Sequence, residues 1–303
     1  MSVLDGKVAI VTGAAHGLGR IEALELARLG TRVVVSDLGT AGDGTGRDSD
    51  AAHAVVEEIR SAGGEAVAHF GDVASWDDSK AMVGTAIETY GDLHILVNNA
   101  GFCRDAMIFS MTEEDFDAVI RVHLKGHFCG MRHASEYFRK KGKAEGSIYG
   151  RIISTSSEAF IFGSVGQPNY AAAKAGIVAM TGSAAQGLAK YGVTANTIMP
   201  RARTRMTDTG ATKQMFAKPE AGFDTFAPEH VGPLVAYLAG PDSANSSGNV
   251  YVVWGKMITI LQRPLEATSF DCDEVWTYER VDEALSPYLA DKTPIEDSFI
   301  CRG

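Results

Sequence analysis

Cysteine is scarce in this chain of 303 residues: Cys103, Cys129, Cys272 and Cys301 stand far apart and form no C-x-x-C pair. That spacing excludes a disulfide framework and offers no thiolate zinc pattern, so reduced thiols and no metal are expected. Basic charge is also short, with 28 Lys+Arg against 38 Asp+Glu and a formal net charge of −10. A field of that sign repels phosphate backbones and no basic stripe offsets it locally, so no nucleic-acid partner is expected. Long apolar runs are missing as well. None reaches the ~18 residues that a bilayer span needs, and the opening MSVLDGKVAI shows no charged leader before an apolar core. The expectation is a soluble, cytoplasmic chain with no membrane partner. Internal repeats and low-complexity segments are absent too.

What is present is a 45% hydrophobic composition, enough to bury one substantial core. Short runs rich in β-branched residues recur at Val8–Val11, Arg32–Ser36, Ala66–Phe70, Ile95–Asn98, Arg151–Ser154, Thr194–Ile198 and Val250–Val253. Amphipathic segments separate them and carry helix signals: Gly30 closes a helix from Gly17 to Leu29, while Ser75 with Asp78 and Thr112 with Asp115 resemble capping boxes. Alternating strands and helices with right-handed crossovers predict an α/β doubly wound parallel sheet, a Rossmann fold. Two stretches, Gly39–Asp50 and Lys140–Gly150, read as surface excursions. A single domain over 1–261 is expected, followed by an extension over 262–303. The extension carries Leu265, Phe270, Val275, Trp276, Tyr278, Leu285, Tyr288 and Leu289, so it should pack on its own domain or on a partner subunit.

Directly after the first strand comes Thr12-Gly13-Ala14-Ala15-His16-Gly17-Leu18-Gly19, which also opens the first helix. That context places backbone N–H groups and a helix N-terminus where a pyrophosphate can sit. Asp37 ends the second strand, 18 residues beyond Gly19, and Leu38 follows it. An acid there accepts hydrogen bonds from ribose hydroxyls and repels a 2′-phosphate, which favours NAD; Arg20 is placed to counter that repulsion, and a plain turn residue is the alternative. Asp72 and Val73, and the run Asn98-Asn99-Ala100-Gly101, stand at further strand ends that face the adenosine, or are simple helix-entry and turn residues.

Ser157 closes another strand, and thirteen residues on comes Tyr170-Ala171-Ala172-Ala173-Lys174. At i and i+4 the phenol and the ammonium share a helical face. An ammonium there favours the phenolate, lowering a pKa that in water is ~10. Ser157 is then placed to hold a substrate oxygen.

With these motifs in order, the chain resembles the short-chain dehydrogenase/reductase family from about Lys7 to Ile260. The resemblance implies an oxidoreductase in which Tyr170 exchanges a proton with the carbinol oxygen, Lys174 tunes it and binds the nicotinamide ribose, and Ser157 positions the substrate. It also implies that Pro200 and Thr204 meet the nicotinamide. Two departures stand out. The helical asparagine of many members is His123 here, in Val122-His123-Leu124-Lys125-Gly126, either a proton relay or a buried helix-stabilising residue. The usual Pro-Gly after the sixth strand is Pro200-Arg201. Within the family the chain is most similar to the (3R)-hydroxyacyl-CoA dehydrogenase domain of peroxisomal multifunctional enzymes and actinobacterial relatives, which implies an acyl-CoA substrate and a homodimer or homotetramer. A hydroxysteroid or other secondary-alcohol dehydrogenase, and a non-catalytic dinucleotide-binding scaffold, are the competing readings. Arg201, Arg203 and Arg205 either meet CoA phosphates or a carboxylate or are surface or subunit-interface charges, and Met206–Phe226 reads as a mobile substrate lid.

Overall fold

β-Branched runs that are apolar throughout suit strands covered on both faces, and the computed structural model, which describes residues 2–208, 212–262, 266–273 and 275–291, arranges them so. The elements run β1 (Val8–Thr12), α1 (Gly17–Arg28), β2 (Arg32–Asp37), α2 (Asp50–Ser61), β3 (Ala66–Phe70), α3 (Trp76–Tyr90), β4 (Ile95–Asn98) and α4 (Glu113–Ile120). After α4 come α5 (Gly126–Glu145), β5 (Gly150–Thr155), α6 (Ala159–Phe162), α7 (Pro168–Leu188) and β6 (Val193–Pro200). The chain continues through α8 (Thr212–Met215), α9 (Gly232–Ala239), β7 (Val250–Trp254), β8 (Met257–Leu261) and α10 (Tyr278–Leu289). Strand order is β3-β2-β1-β4-β5-β6-β7-β8, parallel up to β7. The order reverses between β1 and β4, where a doubly wound sheet opens its ligand crevice.

Two apolar layers sandwich the sheet. One joins Leu26, Val55 and Ile59 to Leu234 and Leu238; the other joins Met82, Phe138 and Leu188 to the opposite face of β1, β4 and β5. Helix starts follow the sequence signals: the Ser75 hydroxyl accepts from Asp78 N–H and the Thr112 hydroxyl from Asp115 N–H, satisfying otherwise orphaned donors.

Two segments depart from expectation. β8 pairs antiparallel with β7 across the two-residue Gly255-Lys256 turn, a hairpin that the strand pattern alone missed. Lys140–Glu145 are not a surface excursion but the last turns of α5, ending at Gly146. The polar run is helical because its charges pair along the helix and beside it: Glu136 binds Arg132 and Lys140, and Lys141 reaches Asp92. The Gly39–Asp50 stretch is a loop up to α2, as expected, and Gly44 lies against the Phe102 ring. In the extension, α10 buries no residue, and Val275 and Tyr278 are 82% and 81% exposed. Leu265 and residues 292–303, Cys301 included, lie outside the described residues. Among the described residues no helix is long and apolar enough to cross a membrane, and no group of three His, Cys, Asp or Glu could hold a metal ion.

Candidate active site

The carboxyl ends of β1 to β6 border one cavity of about 610 Å³. Gly13, His16, Gly17 and Leu18 line it from the first turn, Asp37 and Leu38 from the second strand, and Asp72 and Val73 from the third. Asn99, Ala100 and Gly101 follow from the fourth, Ser157, Tyr170 and Lys174 from β5 and α7, and Pro200 and Thr204 from β6. Thr12 and Gly19 alone among the expected cofactor residues do not line it. Thr12 stands behind: its hydroxyl accepts from the N–H groups of Asn99 (3.0 Å) and Ala100 (3.2 Å), locking the two loops together. Gly19 packs on the first turn, where a Cβ would fall 2.3 Å from the Gly13 carbonyl oxygen.

A dinucleotide fits this crevice. The N-terminus of α1 opens on it, and His16, its N-cap residue, makes no side-chain cap. At the end of β2, the Asp37 carboxylate accepts from Ala15 N–H (2.8 Å) and Gly39 N–H (2.7 Å), so it is held in place with lone pairs remaining for hydroxyl donors. Arg20, the residue placed to counter its charge, is held instead by Glu58 at 2.5 Å.

At the other end, Lys174 is buried and its Nζ donates to the Thr155 carbonyl at 2.7 Å, lying 5.3 Å from the Tyr170 ring centroid. Helical spacing brings them together as expected, but the expected ionisation differs in this chain. Burial raises the Tyr170 phenol above its usual range, with Cys103 and Asp105 adding to the rise and the Ser157 hydrogen bond opposing it. Burial also pulls Lys174 down to about 7. Desolvation therefore outweighs the attraction that the i, i+4 spacing suggested.

His123 sits in a π-helical turn, Arg121–Lys125, between α4 and α5. Its Nε2 meets the Phe102 backbone twice, 2.7 Å from the carbonyl oxygen and 3.1 Å from the N–H, so one ring nitrogen holds that residue in either tautomer. Burial, then Lys174, holds the imidazole well below its usual pKa, so the ring is neutral. A Cβ on Gly101 would fall 2.0 Å from the ring. No hydrogen bond joins His123 directly to Lys174 or Tyr170 among the described residues.

The three arginines after β6 separate. Arg201 is buried and paired with Glu158, and Arg203 is tied to Asp224 and the Phe216 carbonyl, so neither is a free surface charge. Arg205 is exposed on the cavity rim. Met206, Thr207, Thr212, Met215 and Phe216 also border the cavity from the expected lid, whose residues 209–211 lie outside the described ones.

Sequence reasoning missed Cys103, Asp105, Ser164 and Gln167, which form the wall beside Tyr170. Gln167 Nε2 donates to both Asp105 oxygens (3.0 and 3.1 Å), and the Ser164 hydroxyl donates to Gln167 Oε1 (2.9 Å). The Cys103 thiol, pushed up to about 12 chiefly by burial, is an un-ionised side chain here. These residues flank the two motifs, which was the available signal, but loop sequence carries no period that tells which side chains face inward.

A reversed parallel sheet with a glycine-bearing first turn and a Tyr-x-x-x-Lys helix on one cleft defines a nucleotide-dependent oxidoreductase of the doubly wound class. The chain belongs to the short chain dehydrogenase family, whose model matches residues 7–219, and it is an oxidoreductase acting on CH–OH groups. Members of this family generally bind NAD or NADP. It is 47% identical over 302 residues to hydroxyacyl-CoA dehydrogenase ChsB1 of Mycobacterium tuberculosis, covering 98% of this chain and 92% of that one. To peroxisomal multifunctional enzyme type 2 of Mus musculus it is 41% identical, over 82% of this chain and 32% of that longer protein. A solved short chain dehydrogenase from Mycobacterium avium superposes with a TM-score of 0.86 at 43% identity, over 98% of this chain and 99% of the other.

Proposed function

We propose that the chain is an NAD-dependent dehydrogenase interconverting a secondary alcohol and a ketone on a 3-hydroxyacyl-CoA-type substrate. The observation that carries this reading is the meeting of Ser157, Tyr170 and Lys174 on the same cavity as Gly13, Gly17 and Asp37. NAD over NADP is supported by the Asp37 carboxylate at the ribose end and by the engagement of Arg20 with Glu58. The names of the similar proteins, hydroxyacyl-CoA dehydrogenase and multifunctional enzyme, support the substrate class.

Hydride acceptance and donation at carbon are supplied by the nicotinamide when it is bound. The chain's residues handle the proton and the geometry. Ser157 holds the substrate oxygen beside the phenol of Tyr170. In the reducing direction the raised phenol is protonated and gives its proton to that oxygen; in the oxidising direction the phenolate, its proton released to solvent beforehand, takes the carbinol proton, and a charged Lys174 beside it favours that form. Lys174 also binds the nicotinamide ribose in this reading, from the position fixed by its bond to Thr155. His123 acts by position, seating Tyr170 and the Phe102 backbone. We take the assembly to be a homodimer or homotetramer, because exposed Val275, Trp276 and Tyr278 supply apolar surface for a partner; sedimentation as a monomer would remove that part.

The test is Tyr170→Phe. Turnover of a 3-hydroxyacyl-CoA should fall ~10²- to 10⁴-fold while NADH still binds, measured by fluorescence titration. Undiminished turnover sinks the assignment, and faster turnover of free hydroxysteroids than of CoA thioesters replaces the substrate class.

A further inference from the structure

Arg201 stands where many family members carry glycine, and it is not idle. Its guanidinium grips Glu158 through two bonds, Nε to Oε2 at 2.5 Å and Nη2 to Oε1 at 2.8 Å. Both side chains are nearly enclosed, 8% and 7% exposed. The flat face of the guanidinium lies 4.8 Å from the centroid of Trp254, which stacks on Phe226 at 5.7 Å. Phe226 in turn meets Phe216 at 4.7 Å, and Phe216 borders the cavity.

Glu158 directly follows Ser157, and the next residue, Ala159, donates its N–H to the Ser157 hydroxyl at 3.2 Å. Arg201 begins the loop that carries Thr204, and its N–H extends the sheet by bonding the Val253 carbonyl at 3.0 Å. One side chain therefore spans from the loop after β6 to the loop after β5, and its ring contact reaches the cavity wall. Burying two charges costs desolvation that their attraction roughly offsets, so such a pair is a poor device for stability. What it does supply is direction, because the planar fork of arginine admits one bidentate geometry, which lysine cannot reproduce.

We propose that the Arg201–Glu158 pair is a positioning strut: it sets the Ser157–Ala159 turn so that the Ser157 hydroxyl meets the Tyr170 phenol and the substrate oxygen. The inference rests on Ser157 holding that oxygen. Arg201 borders the cavity with its guanidinium committed to Glu158, and the pair acts through Ser157.

The full-length chain is compared with E158L/R201M, R201K and S157A for thermal unfolding, NADH affinity, kcat and the pH profile of kcat. The E158L/R201M variant should fold with a melting temperature near the parent's and bind NADH as tightly, because apolar replacement of a buried pair is tolerated. Its kcat should nevertheless fall ~10- to 100-fold, the scale of a small misplacement in a catalytic constellation. The basic limb of its profile should move to higher pH, since the hydrogen bond from Ser157 favours the phenolate. R201K should lie between the two. A stable E158L/R201M enzyme with parental kcat and pH profile overturns the strut. If that variant does not fold, R201K decides: it keeps the charge and loses the fork, so kcat should fall at a melting temperature near the parent's, and parental kcat and pH profile in it overturn the strut equally. Full turnover in S157A removes the underlying reading of Ser157, whereas loss in S157A beside parental strut variants removes the strut alone.

Discussion

The imidazole of His123 stands edge-on to the ring of Tyr170, centroids 5.1 Å apart and planes at 89°. Burial keeps that imidazole neutral, and its Nε2 is engaged by the Phe102 backbone. Replacing His123 with alanine should therefore act through packing and one lost buried bond, destabilising the fold by about 2 to 4 kcal/mol. Calorimetry checks the stability. The kcat/KM profile checks the role: a neutral spacer leaves the surviving inflections where they were, whereas loss of an inflection in His123→Ala would restore the relay.

Asp37 serves two neighbours as well as any ligand, holding Ala15 and Gly39 by their N–H groups. Asp37→Ala should raise KM for NAD ~10- to 100-fold, as expected for losing charge-assisted hydrogen bonds of about 1.5 to 3 kcal/mol. KM for NADP should fall. Steady-state kinetics with both cofactors decides, and equal efficiency with both in the unsubstituted chain would remove the NAD reading.

Glu22, on α1, is fully buried, and neither of its oxygens has a hydrogen-bond partner among the described residues. Burial lifts its pKa from 4.5 to about 8. A carboxyl raised on folding contributes stability that is whole below the unfolded pKa and lost as pH rises through the folded one, so the penalty grows between 4.5 and about 8. Glu22→Gln should match the parent near pH 4.5 and exceed it above about pH 8, by on the order of 4 kcal/mol. Melting temperatures on both sides of that window test it; a gain independent of pH would show that Glu22 does not titrate there.

Much of the site was legible before any fold was known. Gly13, Gly17, Asp37 and Asn99 are placed by their position at strand ends, and Tyr170 and Lys174 by a period of 3.6. Their ionisation was not legible, because desolvation depends on what surrounds a group in space; burial, not the neighbouring charge, dominates both the phenol and the lysine. The polar run Lys140–Glu145 misled for a related reason: composition suggested a loop, whereas Asp92, 49 residues away in sequence, pairs with Lys141 on the end of α5.

Local rules determined the individual strands and helices, the turns after β1 and β2 and the tyrosine–lysine face, since each depends on residues within one or two turns of chain. Only the tertiary structure decided that Arg201 reaches Glu158 across 43 residues, that His123 bonds Phe102 from a π-helical turn, and that β8 closes the sheet edge. Those are contacts between distant segments, and their geometry is set by packing, which no stretch of chain encodes by itself.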